Sequence, residues 1–204
     1  MDGALSPLLA TAAIAAVQLI TVDAIDAATR AGYDPLRNWI SQLALEPRGW
    51  LGSANLALCG AWLLAYAIAL RRFLPSPWPA RLVALCGLGF GFVAVVPVDP
   101  GMDFPAGATP VHTAVGAVHQ LAAVALFAAG TTAAVVIGRA LGLIRPAAAV
   151  AGVMIASFVT ASILVTLDVR GIMPGGPSGL FERIAMFTGL GWLGVTGLIL
   201  QRRH

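Results

Sequence analysis

Two histidines seven residues apart have the residue type and spacing best suited to chemistry in this sequence. His112 and His119 follow Thr109 and Pro110, which resemble the start of a helix because Thr caps helices and Pro fits their first turn. Seven residues make two helical turns, so both rings are expected on one face, with His119 about 10 Å deeper along an apolar segment. An ionisable side chain at that depth indicates a metal ligand, a proton relay or a head-group contact. The alternative is a histidine that hydrogen-bonds a neighbouring helix and only packs.

Two carboxylates are candidate partners for His119. Asp99 lies between two prolines that are expected to break a helix and free backbone carbonyls. With His119 it could form an acid–base pair, and with both His112 and His119 a divalent metal site such as zinc, although this spacing matches no zinc motif. Glu182 is the third candidate catalytic group, and its position near a helix start is also explained by the helix dipole.

Four further polar residues are candidates for binding. Arg183 could hold an anion such as a lipid phosphate in a bidentate way, or pair with Asp99 or Asp168, or only reach towards the membrane surface. Asn38, Ser41 and Asn55 could position a head group, or they could join helices by hydrogen bonds. Together these residues predict an outward-facing polar pocket.

The composition indicates that a membrane protein must hold these side chains. Of 204 residues, 59% are hydrophobic and only 10% are charged, with a mean hydropathy of +0.89. Soluble domains are nearer half apolar and a quarter charged, which excludes an ordinary soluble enzyme, a disordered chain and a free nucleic-acid binder. The sequence predicts one all-α membrane domain, 1–204.

Six apolar stretches are long enough to span a bilayer as helices. The predicted spans are 4–22, 51–70, 82–98, 111–138, 147–167 and 181–200. They define a polytopic bundle with short connections on one side and longer, polar connections on the other. Trp39 and Trp50, in and after the first long connection, are expected in the aromatic belt at the outer interface.

Arginine placement predicts the orientation of these spans. The chain has twelve Arg and no Lys, and seven Arg fall on the side of the chain termini against five on the other. The positive-inside rule therefore places both termini in the cytoplasm. Eight of the nine carboxylates fall on the opposite, outer side. Because acids contribute little to insertion, their segregation needs another cause, and function at the outer face is one candidate.

The order of several short motifs resembles the six-helix membrane proteins of bacteria and archaea grouped as domain-of-unknown-function family 998. The motifs are Asn38-Trp39-Ile40-Ser41, Arg48-Gly49-Trp50-Leu51 with Asn55, Pro97-Val98-Asp99-Pro100, Gly116-Ala117-Val118-His119, and Gly179-Leu180-Phe181-Glu182-Arg183-Ile184 leading to Trp192. The resemblance covers roughly 10–200 and departs from the family at Val98, where a Cys is usual. It implies a six-helix bundle with polar positions at Ser41, Asp99, His119 and Arg183, and no assigned reaction. The absence of Lys and the abundance of Ala and Gly favour a bacterial source, and so a bacterial cytoplasmic membrane.

Three functions remain open on these observations. The first is a pocket that binds, and acts on, a lipid or isoprenoid head group. The second is a non-enzymatic scaffold or accessory subunit, in which the glycines of the last span (189, 191, 194 and 197) pack against a second copy or a membrane partner. A small transporter is the third, and it is disfavoured because the two halves show no repeat.

Overall fold

The computed structural model describes residues 6–203, and these form six long helices. A 3₁₀ turn, Ser6–Ala10, leads into the first of them. The helices are α1 Thr11–Thr29, α2 Gly49–Phe73, α3 Trp78–Val95, α4 Ala114–Ala140, α5 Ile144–Val169 and α6 Ser178–Gln201. With the 3₁₀ turn added to α1, all six are long and apolar enough to cross a membrane, which confirms the predicted all-α bundle.

The helices form a ring in chain order. Each helix packs against its neighbours in the sequence, α6 returns to α1, and α4 also touches α6 across the bundle. A continuous core fills the centre, whereas large apolar side chains such as Val17, Val95 and Leu121 are exposed on the outside. A bilayer would cover that apolar surface, since soluble proteins rarely expose so much of it.

Glycines allow close packing inside this ring. A Cβ on Gly60 of α2 would lie 2.5 Å from the carbonyl oxygen of Gly87 on α3, so only glycine fits this crossing. On α6, a Cβ at Gly197 would lie 2.3 Å from the carbonyl oxygen of Leu9. Gly197 therefore serves close packing within the chain.

The first helix is longer than the sequence predicted. It continues to Thr29 instead of ending near residue 22, and so includes Asp23 and Asp26, both of which are buried. Hydropathy assigns aspartates to loops because an unpaired buried charge is costly. Here each carboxylate is paired with arginine, so the helix continues through them.

The boundaries of α3 and α4 also differ from the prediction. Helix α3 ends at Val95, because the residue before Pro97 disfavours helical backbone. Helix α4 begins at Ala114, with Thr113 rather than Thr109 as its cap: the Thr113 hydroxyl accepts from the Gly116 amide at 2.9 Å. His112 consequently precedes the helix, and the argument that it shares a helix face with His119 was wrong.

Three long connections lie at one end of the bundle, which we call the long-loop end. They comprise residues 30–48, 96–113 and 170–177. The first contains a 3₁₀ helix, Ile40–Ala44, and the second a tight turn in which Gly101 and Phe104 exchange backbone hydrogen bonds of 3.1 Å. The polar residues singled out from the sequence lie at this end.

Candidate functional site

A buried ion pair joins α6 to α1 at the long-loop end. The Arg183 guanidinium binds both Asp23 oxygens, with Nε–Oδ2 and Nη2–Oδ1 distances of 3.0 Å. The two side chains are almost fully buried, at 7% and 2% exposure. Nη1 also donates to the carbonyl oxygens of Pro35 and Asn38 at 2.7 Å, so this one side chain fixes the first long loop to both helices.

This arrangement leaves Arg183 no free donor for a ligand anion. Its Nη2 donates to the Tyr33 hydroxyl at 2.5 Å as well as to Asp23. The Tyr33 hydroxyl in turn donates to the carbonyl oxygen of Trp39 at 2.9 Å, and burial raises the pKa of the Tyr33 phenol, which keeps that proton in place. The predicted anion clamp is thus a structural ion pair, because every guanidinium nitrogen already has a protein acceptor.

A second buried ion-pair centre lies one turn further along α1. Asp26 accepts from Arg30 at 2.8 Å and from the Nε of Arg48 at 3.0 Å. Arg30 also donates to the carbonyl oxygen of Leu43 at 3.0 Å. The centre therefore holds both ends of the first long loop against α1.

A third ion pair ties all three loops together. Arg37 of the first loop binds Asp103 of the second at 2.5 Å and Asp168, in the last turn of α5, at 3.0 Å. Asp168 also accepts from the Gly175 amide of the third loop at 3.0 Å. The arginine pairs account for four of the eight carboxylates segregated to this end, so part of that segregation is structural.

Two of the predicted binding residues are used within the fold. Asn38 accepts from the Asp34 amide at 2.8 Å and donates to the Met102 carbonyl oxygen at 2.9 Å. Asn55 donates to the Leu19 carbonyl oxygen at 3.3 Å. Both asparagines are buried and join loop or helix backbone, as the alternative interpretation of them proposed.

A polar cavity of about 180 Å³ lies between the loops and the ends of α4 and α5; we call it the loop cavity. Its polar lining consists of Gln42, Asp99, His112, Thr113 and Gln120, with the ring of Trp39. Asp99 is held in place because its two oxygens accept from the amide and hydroxyl of Thr113, both at 2.7 Å. Asp99 and His112 therefore share this cavity.

A smaller cavity of about 20 Å³, the inner cavity, brings together His119, Glu182 and Ser41. This volume is enough for one water molecule. The Glu182 carboxylate accepts from the Ile40 amide at 2.7 Å, and the Nδ1 of His119 lies 2.7 Å from the Val96 carbonyl oxygen. Since a carbonyl only accepts, Nδ1 carries a proton, and Nε2 is the nitrogen that can act as a base when the ring is neutral.

The predicted metal set is divided between these two cavities. Asp99 and His112 line the loop cavity, whereas His119 lines the inner cavity. Within residues 6–203 no three His, Cys, Asp or Glu side chains are grouped to hold a metal ion. His112 precedes α4 instead of sharing a helix face with His119, and the two histidines line different cavities.

Trp39 is the residue that the sequence interpretation missed. It was expected in the interfacial belt, but it is 6% exposed, whereas Trp50 is 68% exposed. Its ring lines both cavities, and its buried Nε1–H has no hydrogen-bond partner in the structure. Gln120 likewise lines both cavities. No sequence signal separates a buried loop tryptophan from an interfacial one.

An apolar groove of about 340 Å³ lies further along the same pair of helices; we call it the α4–α5 groove. Its lining includes Val124, Phe127, Ala128 and Thr131 from α4 and Ile155, Phe158 and Val159 from α5. The α4 positions continue the face that carries Gln120, at spacings of three and four residues, so the groove and the loop cavity lie along the same face of α4.

Aromatic contacts connect the groove with the cavities. The Phe158 ring stacks on Phe127 with centroids 4.0 Å apart and meets the Trp39 ring at 6.3 Å. Phe158 and Phe127 line the groove, whereas Trp39 lines both cavities. The polar and apolar parts therefore share a wall.

The fold and site define a polytopic membrane protein with a braced polar end and a groove between two spans. Its chain belongs to the family described as protein of unknown function (DUF998), whose model matches residues 13–199. No curated protein and no solved structure matches it significantly.

Proposed function

We propose that this protein binds a membrane amphiphile, with the head group in the loop cavity and an acyl or isoprenoid chain in the α4–α5 groove. The observation that carries the proposal is the alignment of the two spaces along one face of α4 and one of α5. A polar chamber at a membrane surface followed by an apolar groove suits a lipid better than a small polar solute.

The length of the site supports this proposal. From Gln120, at the foot of the loop cavity, to Thr131, in the groove, there are eleven residues, or about 16 Å of helix. One leaflet of the hydrocarbon core is about 15 Å thick. A chain anchored by its head group at the long-loop end would therefore remain at the depth of its own leaflet.

We also propose that the long-loop end faces away from the cytoplasm of a bacterium, with both termini inside. Four of the five arginines at the long-loop end, namely Arg30, Arg37, Arg48 and Arg183, pair with aspartates. Their charge is cancelled within the fold. This pairing supports the positive-inside assignment, since it explains how arginines are tolerated on the outer side.

Chemistry on the bound head group, in this proposal, would fall to His119 and Glu182. Both line the inner cavity, which shares Trp39 and Gln120 with the loop cavity. An imidazole with a free Nε2 and a carboxylate facing space for one water molecule have the properties of acid–base groups. Asp99, held by Thr113, would instead accept a hydrogen bond from the head group.

Filling the groove is expected to remove the lipid. The Ala128→Trp variant places an indole where the chain would lie, and each lost methylene contact costs about 0.8 kcal/mol. Loss of two or more such contacts lowers affinity by more than about tenfold. Mass spectrometry of lipids retained by the detergent-purified protein measures this effect.

The matched control is Ala61→Trp, which adds the same ring to an exposed alanine at similar depth on α2, outside the groove. The proposal requires that Ala61→Trp retain lipid as the wild type does. Equal retention by Ala128→Trp and Ala61→Trp would contradict it.

A structural role is the second candidate function. The internal use of Arg183, Asn38 and Asn55 favours it, because these groups were the predicted ligand contacts. This candidate predicts that the wild type retains only the bulk lipid mixture, in the same proportions as both tryptophan variants.

A further inference from the structure

We infer that the head group is an uncharged, hydroxyl-bearing group without phosphate. This inference rests on the proposed function and specifies its ligand. Three observations carry it: the use of the nearby arginines, the charge of the loop cavity, and a buried donor without an acceptor.

The first observation is that four of the five arginines at the long-loop end are already engaged, and the fifth, Arg170, does not line the loop cavity. Arg183 is bound by Asp23, Arg30 and Arg48 share Asp26, and Arg37 spans two aspartates. None of these four lines the loop cavity. A phosphate site normally uses arginine, lysine or a row of free amides, and the polar lining described above supplies no such cation.

The second observation is the sign of the charge within the cavity. Asp99 is the carboxylate of the lining, and His112 is its ionisable neighbour. Thr113 satisfies part of the Asp99 carboxylate but leaves its negative charge uncompensated by any arginine of the lining. A phosphate placed beside it would meet a like charge, which costs binding energy in a partly buried site.

The third observation is the orphan donor of Trp39. Its Nε1–H is buried without a partner, and the residue lines the loop cavity, so an acceptor oxygen that reached this N–H would remove the cost of the unpaired donor. An ammonium head group has donors only and cannot supply one. A hydroxyl has both an acceptor and a donor, so its chemistry matches the unpaired N–H of Trp39 as well as the Asp99 carboxylate.

The experiment compares lipids that differ by a phosphate alone. Dioleoylglycerol and dioleoyl phosphatidic acid form one pair, and a polyprenol and its monophosphate form the other. Native mass spectrometry of the full chain in detergent measures the binding of each at equal concentration. We expect the uncharged member of at least one pair to bind about tenfold or more tightly than its phosphate.

Two variants test the residues. Trp39→Phe keeps an aromatic ring but removes the donor, and it is expected to weaken binding of the uncharged lipid by about threefold to tenfold. Trp50→Phe, at an exposed position outside the cavities, is its control. Asp99→Asn removes the charge and is expected to reduce the preference against phosphate.

The outcomes separate this inference from the proposed function. Tighter or equal binding of the phosphorylated members, still abolished by Ala128→Trp, would overturn the inference and leave the proposed function standing. Absence of binding by all four lipids, or binding that Ala128→Trp leaves unchanged, would overturn both. If the polyprenol binds more tightly than dioleoylglycerol, or the reverse, the preference identifies the type of lipid chain and supports the inference.

Discussion

Replacing Arg183 by methionine is expected to lower the free energy of unfolding by about 3–5 kcal/mol, the cost of leaving one member of a buried ion pair unpaired. The stranded group would be the Asp23 carboxylate, which is 2% exposed. The same change removes the donors to the Pro35 and Asn38 carbonyl oxygens, so the first long loop loses its anchor on α6. Denaturant unfolding in mixed detergent micelles measures the loss.

Two further variants test whether the loss of stability comes from the unpaired charge. Arg203→Met removes the same charge from an exposed position and is expected to change stability by less than about 0.5 kcal/mol. The double variant Asp23→Leu/Arg183→Met removes both charges and is expected to recover much of the loss, because a neutral pair leaves no stranded ion. It also serves as the test if Arg183→Met does not fold. An Arg183→Met protein as stable as Arg203→Met would show that the pair carries no structural role.

Replacing Asp26 by alanine is expected to be the second large effect, again about 3–5 kcal/mol. Asp26 is the shared acceptor of Arg30 and Arg48, so its removal leaves two guanidinium groups without a counter-ion. Most of this loss in the free energy of unfolding comes from buried Arg30, because the Arg48 side chain is 41% exposed and can be hydrated. The same unfolding measurement applies.

The control for Asp26 is Glu46→Ala, which deletes an exposed carboxylate at the same end of the bundle. We expect Glu46→Ala to be close to the wild type and Arg48→Ala to cost less than Arg30→Ala. If Arg48→Ala proved the more damaging of the two, the centre would not be organised by burial as described.

The helices were predictable from the sequence, whereas their ends at the long-loop end were not. Hydropathy identifies an apolar run, and each predicted span overlaps one helix of the structure. It cannot anticipate that Asp23 and Asp26 lie within α1, because their arginine partners come from segments up to 160 residues away in the sequence. The start of α4 was misplaced for a similar reason, since Thr113 is fixed by Asp99 of the preceding loop.

The candidate site was likewise predictable from the sequence only in part. His119 and Glu182 were proposed as candidate catalytic groups from their residue types, and the fold brings both to the inner cavity. The role assigned to Arg183 depended on its partners, which residue type does not reveal. Trp39 was assigned by its side-chain class to the membrane interface, and only the packing of the first loop shows it buried beside the loop cavity.

The ion pairs and the groove have complementary roles in this account. Three centres at Asp23, Asp26 and Arg37 brace the loops, and Arg37 joins the first and second loops to the end of α5. These segments contribute walls of the loop cavity. The ion-pair network thus keeps the loop cavity preorganised at the end of the α4–α5 groove, which lowers the entropy cost of binding.

The most direct test of lipid binding is photolabelling in the membrane. Cells expressing the protein are fed a fatty acid that carries a diazirine, so that every lipid class contains the probe. Their membranes are irradiated, and the labelled residues of the purified protein are mapped by peptide sequencing. The account predicts label concentrated on residues 124–132 of α4 and 154–159 of α5, and lost from these segments in Ala128→Trp. Label spread over the exposed apolar faces of all six helices, unchanged in that variant, would contradict it.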